Sequence, residues 1–180
     1  GQKISKSLGN VIDPFALVKK YGTDPIRYYL LREIPSYGDG DFSEKRFVEL
    51  YNADLANGLG NLVARVAKLA SQALGLRGSN DLYHCSENKK YRLALEEYRF
   101  NDGLAFIWEK VTEANKQIDE AQPWNLEGKE LEHFLVKIIN QILEIASLLQ
   151  PFLPETAEKI QKQFAGPKIK SEKPLFPRIK

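Results

Sequence analysis

Apolar residues recur every three or four positions along most of this chain, the period of a helix that buries one face. The longest such run is Phe47, Tyr51, Leu55, Leu59, Leu62, Val66, Leu69 and Ala73. Ser43 stands at the N-cap position of that helix, with Arg46 where the acid of a capping box would sit. Gly58 and Gly60 weaken it by about 1 kcal/mol each relative to alanine and would let a neighbouring helix or ligand come close. Upstream, Asp13-Pro14 and Thr23-Asp24-Pro25 each pair a capping side chain with an early proline. They predict two short helices, one stopping at Gly22 and one from Pro25 to Glu33 that ends before Pro35. Residues 37–41 read as a loop. Downstream the spacing predicts a helix around Asn88–Tyr98. A second, capped by Asn101-Asp102, carries a stripe of Leu104, Ile107, Trp108, Val111, Ala114 and Ile118. A strongly apolar helix from Leu131 to Leu149 and a last one from Pro154 to about Phe164 follow. Residues 75–86 form a polar connector, and the Pro- and Lys-rich stretch 166–180 is expected to be extended. No stretch shows convincing strand alternation. The expected fold is all-α: a smaller helical unit, residues 1–44, ahead of an antiparallel bundle with a basic tail, residues 45–180.

Composition adds limits to this picture. A hydrophobic content of 43% with 28% charged residues is ordinary for a globular protein. No apolar run approaches the roughly 20 residues of a membrane helix, and the opening residues lack the core of a signal peptide. Cys85 is the only cysteine, which excludes an internal disulfide framework and a multi-cysteine zinc site. A reducing, cytoplasmic setting is expected. The chain has no methionine and opens inside a Lys- and Ser-rich segment, so we expect it to be part of a longer polypeptide. Residues 1–32 hold six Lys/Arg against two Asp, and residues 159–180 hold seven against one Glu, which leaves the middle acidic. The basic ends suit phosphates, whereas the middle does not suit broad electrostatic coating of nucleic acid.

Three groups of residues could carry chemistry. Lys3-Ile4-Ser5-Lys6-Ser7 places two lysines three apart among serines, able to reach neighbouring phosphate oxygens; by itself it reads first as a solvated segment. Asp54, Asn57, Asn61, Arg65, Lys68 and Gln72 share one face at helical spacing. That face is a solvated flank or a base-reading surface, since an asparagine and an arginine one turn apart can match base edges and stack. In Asp119-Glu120-Ala121-Gln122-Pro123-Trp124 a proline fixes the entry of a tryptophan lying off the apolar stripe, either a core residue under a loop or an exposed stacking face. His84 and His133 stand without metal-ligand spacing, and Asp39 and Asp41 read as a polar turn.

The lysine loop resembles the KMSKS loop of class I aminoacyl-tRNA synthetases, with Ile4 in place of Met. Its extension, KISKSLGNVIDP, then YGTDPIRYYLLREIPSYGDGDFS, FVELYNADLANGLGNLVARV and the closing PLFPRI, is similar to methionyl-tRNA synthetases over nearly the whole chain, most weakly across residues 75–98. The resemblance implies that Lys6, supported by Lys3, stabilises the triphosphate of ATP in the full-length enzyme. It further implies that residues 1–44 contact the inner corner of tRNA and that the bundle holds the anticodon loop. Asn61 and Arg65 then read base edges of the methionine anticodon, CAU, and Trp124 stacks on its first base. Pro123 belongs to the same pocket, and Asp119 affects discrimination. The family's catalytic domain, with its HIGH signature and zinc-binding insert, belongs upstream of residue 1. The chain alone is therefore expected to hold no cofactor and to catalyse no aminoacylation, its partners being methionine tRNA and that catalytic domain. Two other readings stand beside this one: the equivalent region of another class I synthetase, and a helical protein-interaction bundle.

Overall fold

The computed structural model describes residues 12–73, 88–165 and 168–180; Lys3, Lys6, His84 and Cys85 lie outside them. Among the described residues the chain is all-α, with no strand. Helix α1, Pro14–Tyr21, begins where Asp13 accepts the Phe15 N–H at 2.9 Å and ends at Gly22, whose φ of 88° suits only glycine well. Helix α2, Thr23–Glu33, starts two residues before the expected Pro25 and stops at Ile34, held extended by the proline after it. Asp24 does not cap its own helix. It is buried and accepts the Thr156 N–H at 2.6 Å, in the first turn of α8, Pro154–Phe164.

The long helix expected after Ser43 exists but changes its winding. Ser43 accepts the Arg46 N–H and opens α3, Glu44–Leu50. Residues Tyr51–Gly60 then form a π-helical segment, and α4, Asn61–Gln72, returns to α geometry. The apolar stripe records the change. Phe47, Tyr51, Leu55 and Leu59 advance by fours, as the i→i+5 winding of a π-helix favours, whereas from Leu59 onward threes and fours alternate. All of these residues through Val66 are buried.

Helix α5, Lys89–Glu96, is capped by the Asn88 side chain. Helix α6, Phe100–Ala121, starts earlier than expected and lacks a side-chain cap, because the Asp102 carboxylate is ion-paired to Arg99. After the turn 122–127 comes α7, Gly128–Leu149, whose buried stripe runs from Leu135 to Leu149. Helices α6 and α7 pack on each other across this short connection, so they run antiparallel, and α8 folds back on α7 across residues 150–153. The core joins all of these elements with Phe152, Phe164, Ile169 and Phe176.

Helix α2 sits on the corner between α7 and α8. Arg27 donates to the carbonyls of Phe152 at 2.7 Å and Pro151 at 2.9 Å, just past the C-terminus of α7, while Asp24 meets the N-terminus of α8. A cation at the carbonyl end of one helix and an anion at the amide end of the next each oppose the local dipole. Tyr28 donates to Asp54 at 2.6 Å and lies against Trp108 with ring centroids 4.5 Å apart. Burial first, and then the Asp54 carboxylate, push its phenol far above the usual tyrosine range.

Candidate nucleic-acid interface

The Asp119–Trp124 segment leaves α6 through a strained turn. Gln122 adopts φ 46°, ψ 58°, a left-handed conformation that is uncommon for non-glycine residues and is further disfavoured before proline. Its carbonyl accepts the Asn125 N–H at 2.8 Å, its side-chain oxygen accepts from the Asn125 amide at 3.1 Å, and Pro123 O accepts from Leu126 at 3.2 Å. These bonds close the single 3₁₀ turn Pro123–Asn125. Pro123 is buried, which anchors the turn, and Trp124 is left 56% exposed on a framework with little freedom. Trp108, by contrast, packs against the core.

On α4, Arg65 donates through Nη2 to Asp119 Oδ1 at 2.7 Å. The arginine is half-buried and the carboxylate exposed, so a residue of the α4 polar face meets the end of α6 that carries Trp124. Asn61, one turn earlier, is exposed at the wall of a groove of about 650 Å³ between the long helix and the C-terminal segment.

The polar face divides where the winding changes. Asp54 is taken by Tyr28 of α2, and Asn57 accepts both Nε and Nη2 of Arg178, at 2.8 and 2.6 Å. Only Asn61, Arg65, Lys68 and Gln72 keep the regular spacing of α4. The tail is extended and packs on the π segment: the Asn52 amide donates to Ile179 O at 2.9 Å and its oxygen accepts the Ile179 N–H at 3.0 Å, and Phe176 meets Tyr51 edge-on. Arg178 is the residue that sequence reasoning missed at this groove. Its signal was the PLFPRI segment itself, in which prolines at 174 and 177 stiffen the chain around an apolar anchor. Among the described residues there is no cluster suited to a metal ion, and no helix is long and apolar enough to cross a membrane.

Comparison with known proteins places this arrangement. Residues 1–67 match the family described as tRNA synthetases class I (M). The methionine–tRNA ligase of Clostridium acetobutylicum is 36% identical over an alignment of 214 residues that covers 99% of this chain and 33% of that protein. The enzyme of Enterococcus faecalis is 40% identical over 178 residues, covering 89% and 27%. The structure of Mycobacterium tuberculosis methionyl-tRNA synthetase in complex with methionyl-adenylate superposes with a TM-score of 0.84 at 29% identity, over 99% of this chain and 42% of that one. The chain is therefore similar to class I tRNA synthetases over nearly its whole length. Within them it is homologous to methionyl-tRNA synthetases, and it spans about a third of the length of the curated relatives it matches.

Proposed function

We propose that this chain is the anticodon-reading part of a methionyl-tRNA synthetase and that it binds the CAU loop of methionine tRNA. The observation that carries the reading is Trp124, a large indole left 56% exposed on a turn whose proline is buried. Sequence-specific RNA recognition works on unstacked loop bases, which need an aromatic face and fixed hydrogen-bonding groups beside it. Trp124 supplies the face. Arg65 and Asn61 supply a guanidinium and an amide one turn apart on α4, and Asp119 holds the guanidinium at 2.7 Å until a base edge competes for it. Pro123 sets the height of the indole. Wrong bases are rejected because they leave desolvated polar groups unpaired.

Within a full-length synthetase, residues 1–44 would join this bundle to the catalytic domain, and Lys6 with Lys3 would steady the ATP phosphates. The chain by itself is expected to show no ATP–pyrophosphate exchange. The test is a titration of the chain with a CAU anticodon stem-loop and a scrambled-loop control, repeated with Trp124→Ala. The expected result is selective binding that weakens by about 1–3 kcal/mol on removal of the stacking face. Equal, salt-sensitive binding of both loops would reduce the interaction to phosphate attraction by the basic ends and sink the reading. RNA affinity indifferent to Trp124 would favour the interaction-bundle alternative.

A further inference from the structure

The π-helical segment has a consequence for the site that lies at its end. We propose that Gly60 is a positioning residue: by permitting the π winding of Tyr51–Gly60 it sets the rotation at which α4 presents Asn61 and Arg65. This rests on the anticodon reading above and adds to it what aims those two side chains.

Three observations carry it. First, the N–H of Asn61 donates to Ala56 O, five residues back, and to Gly58 O, so the residue proposed to read a base is itself the last to make the wide-turn bond. Second, glycine is required at position 60 and not elsewhere in the segment. A Cβ on residue 60 would sit 2.9 Å from the Leu55 carbonyl oxygen, again five residues back, a contact that backbone cannot yield without rewinding. A Cβ on Gly58 would sit 3.5 Å from Ala53 O, an ordinary contact. Third, the segment is clamped from both sides in its present winding. Asn115 of α6 donates to Gly58 O at 3.3 Å, Tyr28 of α2 holds Asp54 at 2.6 Å, and Asn52 is bonded to Ile179 of the tail.

A wide-turn helix advances less around its axis per residue than an α-helix. Each π turn that reverts to α therefore rotates everything downstream relative to everything upstream. The clamps lie upstream of Gly60 and the reading residues downstream, so reversion would turn Arg65 away from Asp119 while leaving α3 in place. The core side of α4 resists this rotation, so reversion would be partial: enough to change the acceptor of the Asn61 N–H and to draw Arg65 off its 2.7 Å contact with Asp119.

The experiment compares Gly60→Ala with Gly58→Ala. The two substitutions add the same methyl group and raise α-helix propensity equally, so an effect of helix propensity alone would move both alike. Hydrogen-bond scalar couplings on isotope-labelled protein identify the acceptor of the Asn61 N–H, and the same samples are titrated with CAU and scrambled stem-loops. Gly60→Ala is expected to move the Asn61 acceptor from Ala56 to Asn57, to abolish the Arg65–Asp119 contact and to cut CAU-over-scrambled selectivity about tenfold. Gly58→Ala is expected to keep all three. Should Gly60→Ala fail to fold, Asn115→Leu, which removes the clamp on Gly58 O, is expected to give a smaller loss of selectivity in the same direction. An unchanged Asn61 acceptor in Gly60→Ala, or a changed acceptor with full selectivity, overturns the proposal while the anticodon reading stands. Absence of selectivity in the unsubstituted chain overturns the anticodon reading and the positioning role with it.

Discussion

At the scale of single residues the site depends on strain at one place. Gln122 holds a left-handed backbone before a proline, which costs an ordinary residue about 1–2 kcal/mol. The two bonds Asn125 makes to Gln122, one to its carbonyl and one to its side chain, offset that cost by about 0.5–1.5 kcal/mol each. Strain of this kind persists where the surroundings over-determine it, and here they fix the platform of Trp124. Gln122→Gly is therefore expected to stabilise the fold by up to about 1 kcal/mol in urea unfolding. It should also weaken CAU stem-loop binding, because a glycine loosens the turn and forfeits the side-chain bond to Asn125. A variant both less stable and fully competent would show that the turn is ordinary packing and that the indole needs no preorganised support.

At the scale of elements the long-range helix caps do more than local signals revealed. Asp24 reads in the sequence as the cap of its own helix. Instead it is buried and serves α8, 132 positions further along the chain, a partnership that no local spacing encodes. Asp24→Ala strands the Thr156 N–H and is expected to lower stability by about 1.5–3 kcal/mol, the range for a bond to a charged group. Asp24→Asn keeps an acceptor and should recover most of it; equal losses in both variants would assign the effect to the charge alone. Periodicity made the helices legible, since one buried face imposes its spacing on any packed helix. It located both ends of α1 and α8 to within a residue or so because glycine, proline and capping side chains act locally. It failed at α6, where the attraction of Arg99 for Asp102 displaced the expected cap. The π segment was written in the run of fours from Phe47 to Leu59, but threes and fours mix so freely in α-helices that a short run of fours does not stand out. Of the candidate site, Asn61, Arg65, Asp119, Pro123 and Trp124 were singled out in sequence, with their roles implied by the family resemblance. The Arg65–Asp119 bond and the role of Arg178 were not, because both join parts of the chain more than 50 residues apart.

At the scale of the whole molecule the question is whether α1 and α2 fold with the bundle or beside it. Asp24, Arg27 and Tyr28 are bonded to α8, the segment just past α7 and the π segment, so α2 is tied to the bundle at three points. A single unfolding transition is expected at neutral pH. Acid tests the same corner, because α3 is tied to α1 and α2 by carboxylates. Arg46 bonds both oxygens of Glu33, at 3.0 and 3.2 Å, and this pairing holds the Glu33 carboxyl below its ordinary 4.5. The Lys20 ammonium and the Tyr21 hydroxyl do the same for Glu44. A carboxyl lowered in the folded state binds fewer protons there than in the unfolded chain. Its contribution is therefore complete above about pH 4.5 and is lost as pH falls through the folded value. For the half-exposed Glu33 pair this amounts to less than about 1 kcal/mol. Thermal unfolding between pH 7 and pH 3, followed by far-UV dichroism and by Trp108 fluorescence in a Trp124→Phe background, separates the possibilities. Because the corner is bonded to the bundle, both probes should report one midpoint that holds steady to about pH 5 and then declines together, with Glu33→Gln flattening the decline. A fluorescence change at the Tyr28–Trp108 contact that precedes the loss of helix would mean that α1 and α2 detach first, and the long-range bonds of Asp24 and Arg27 would then be too weak to couple them.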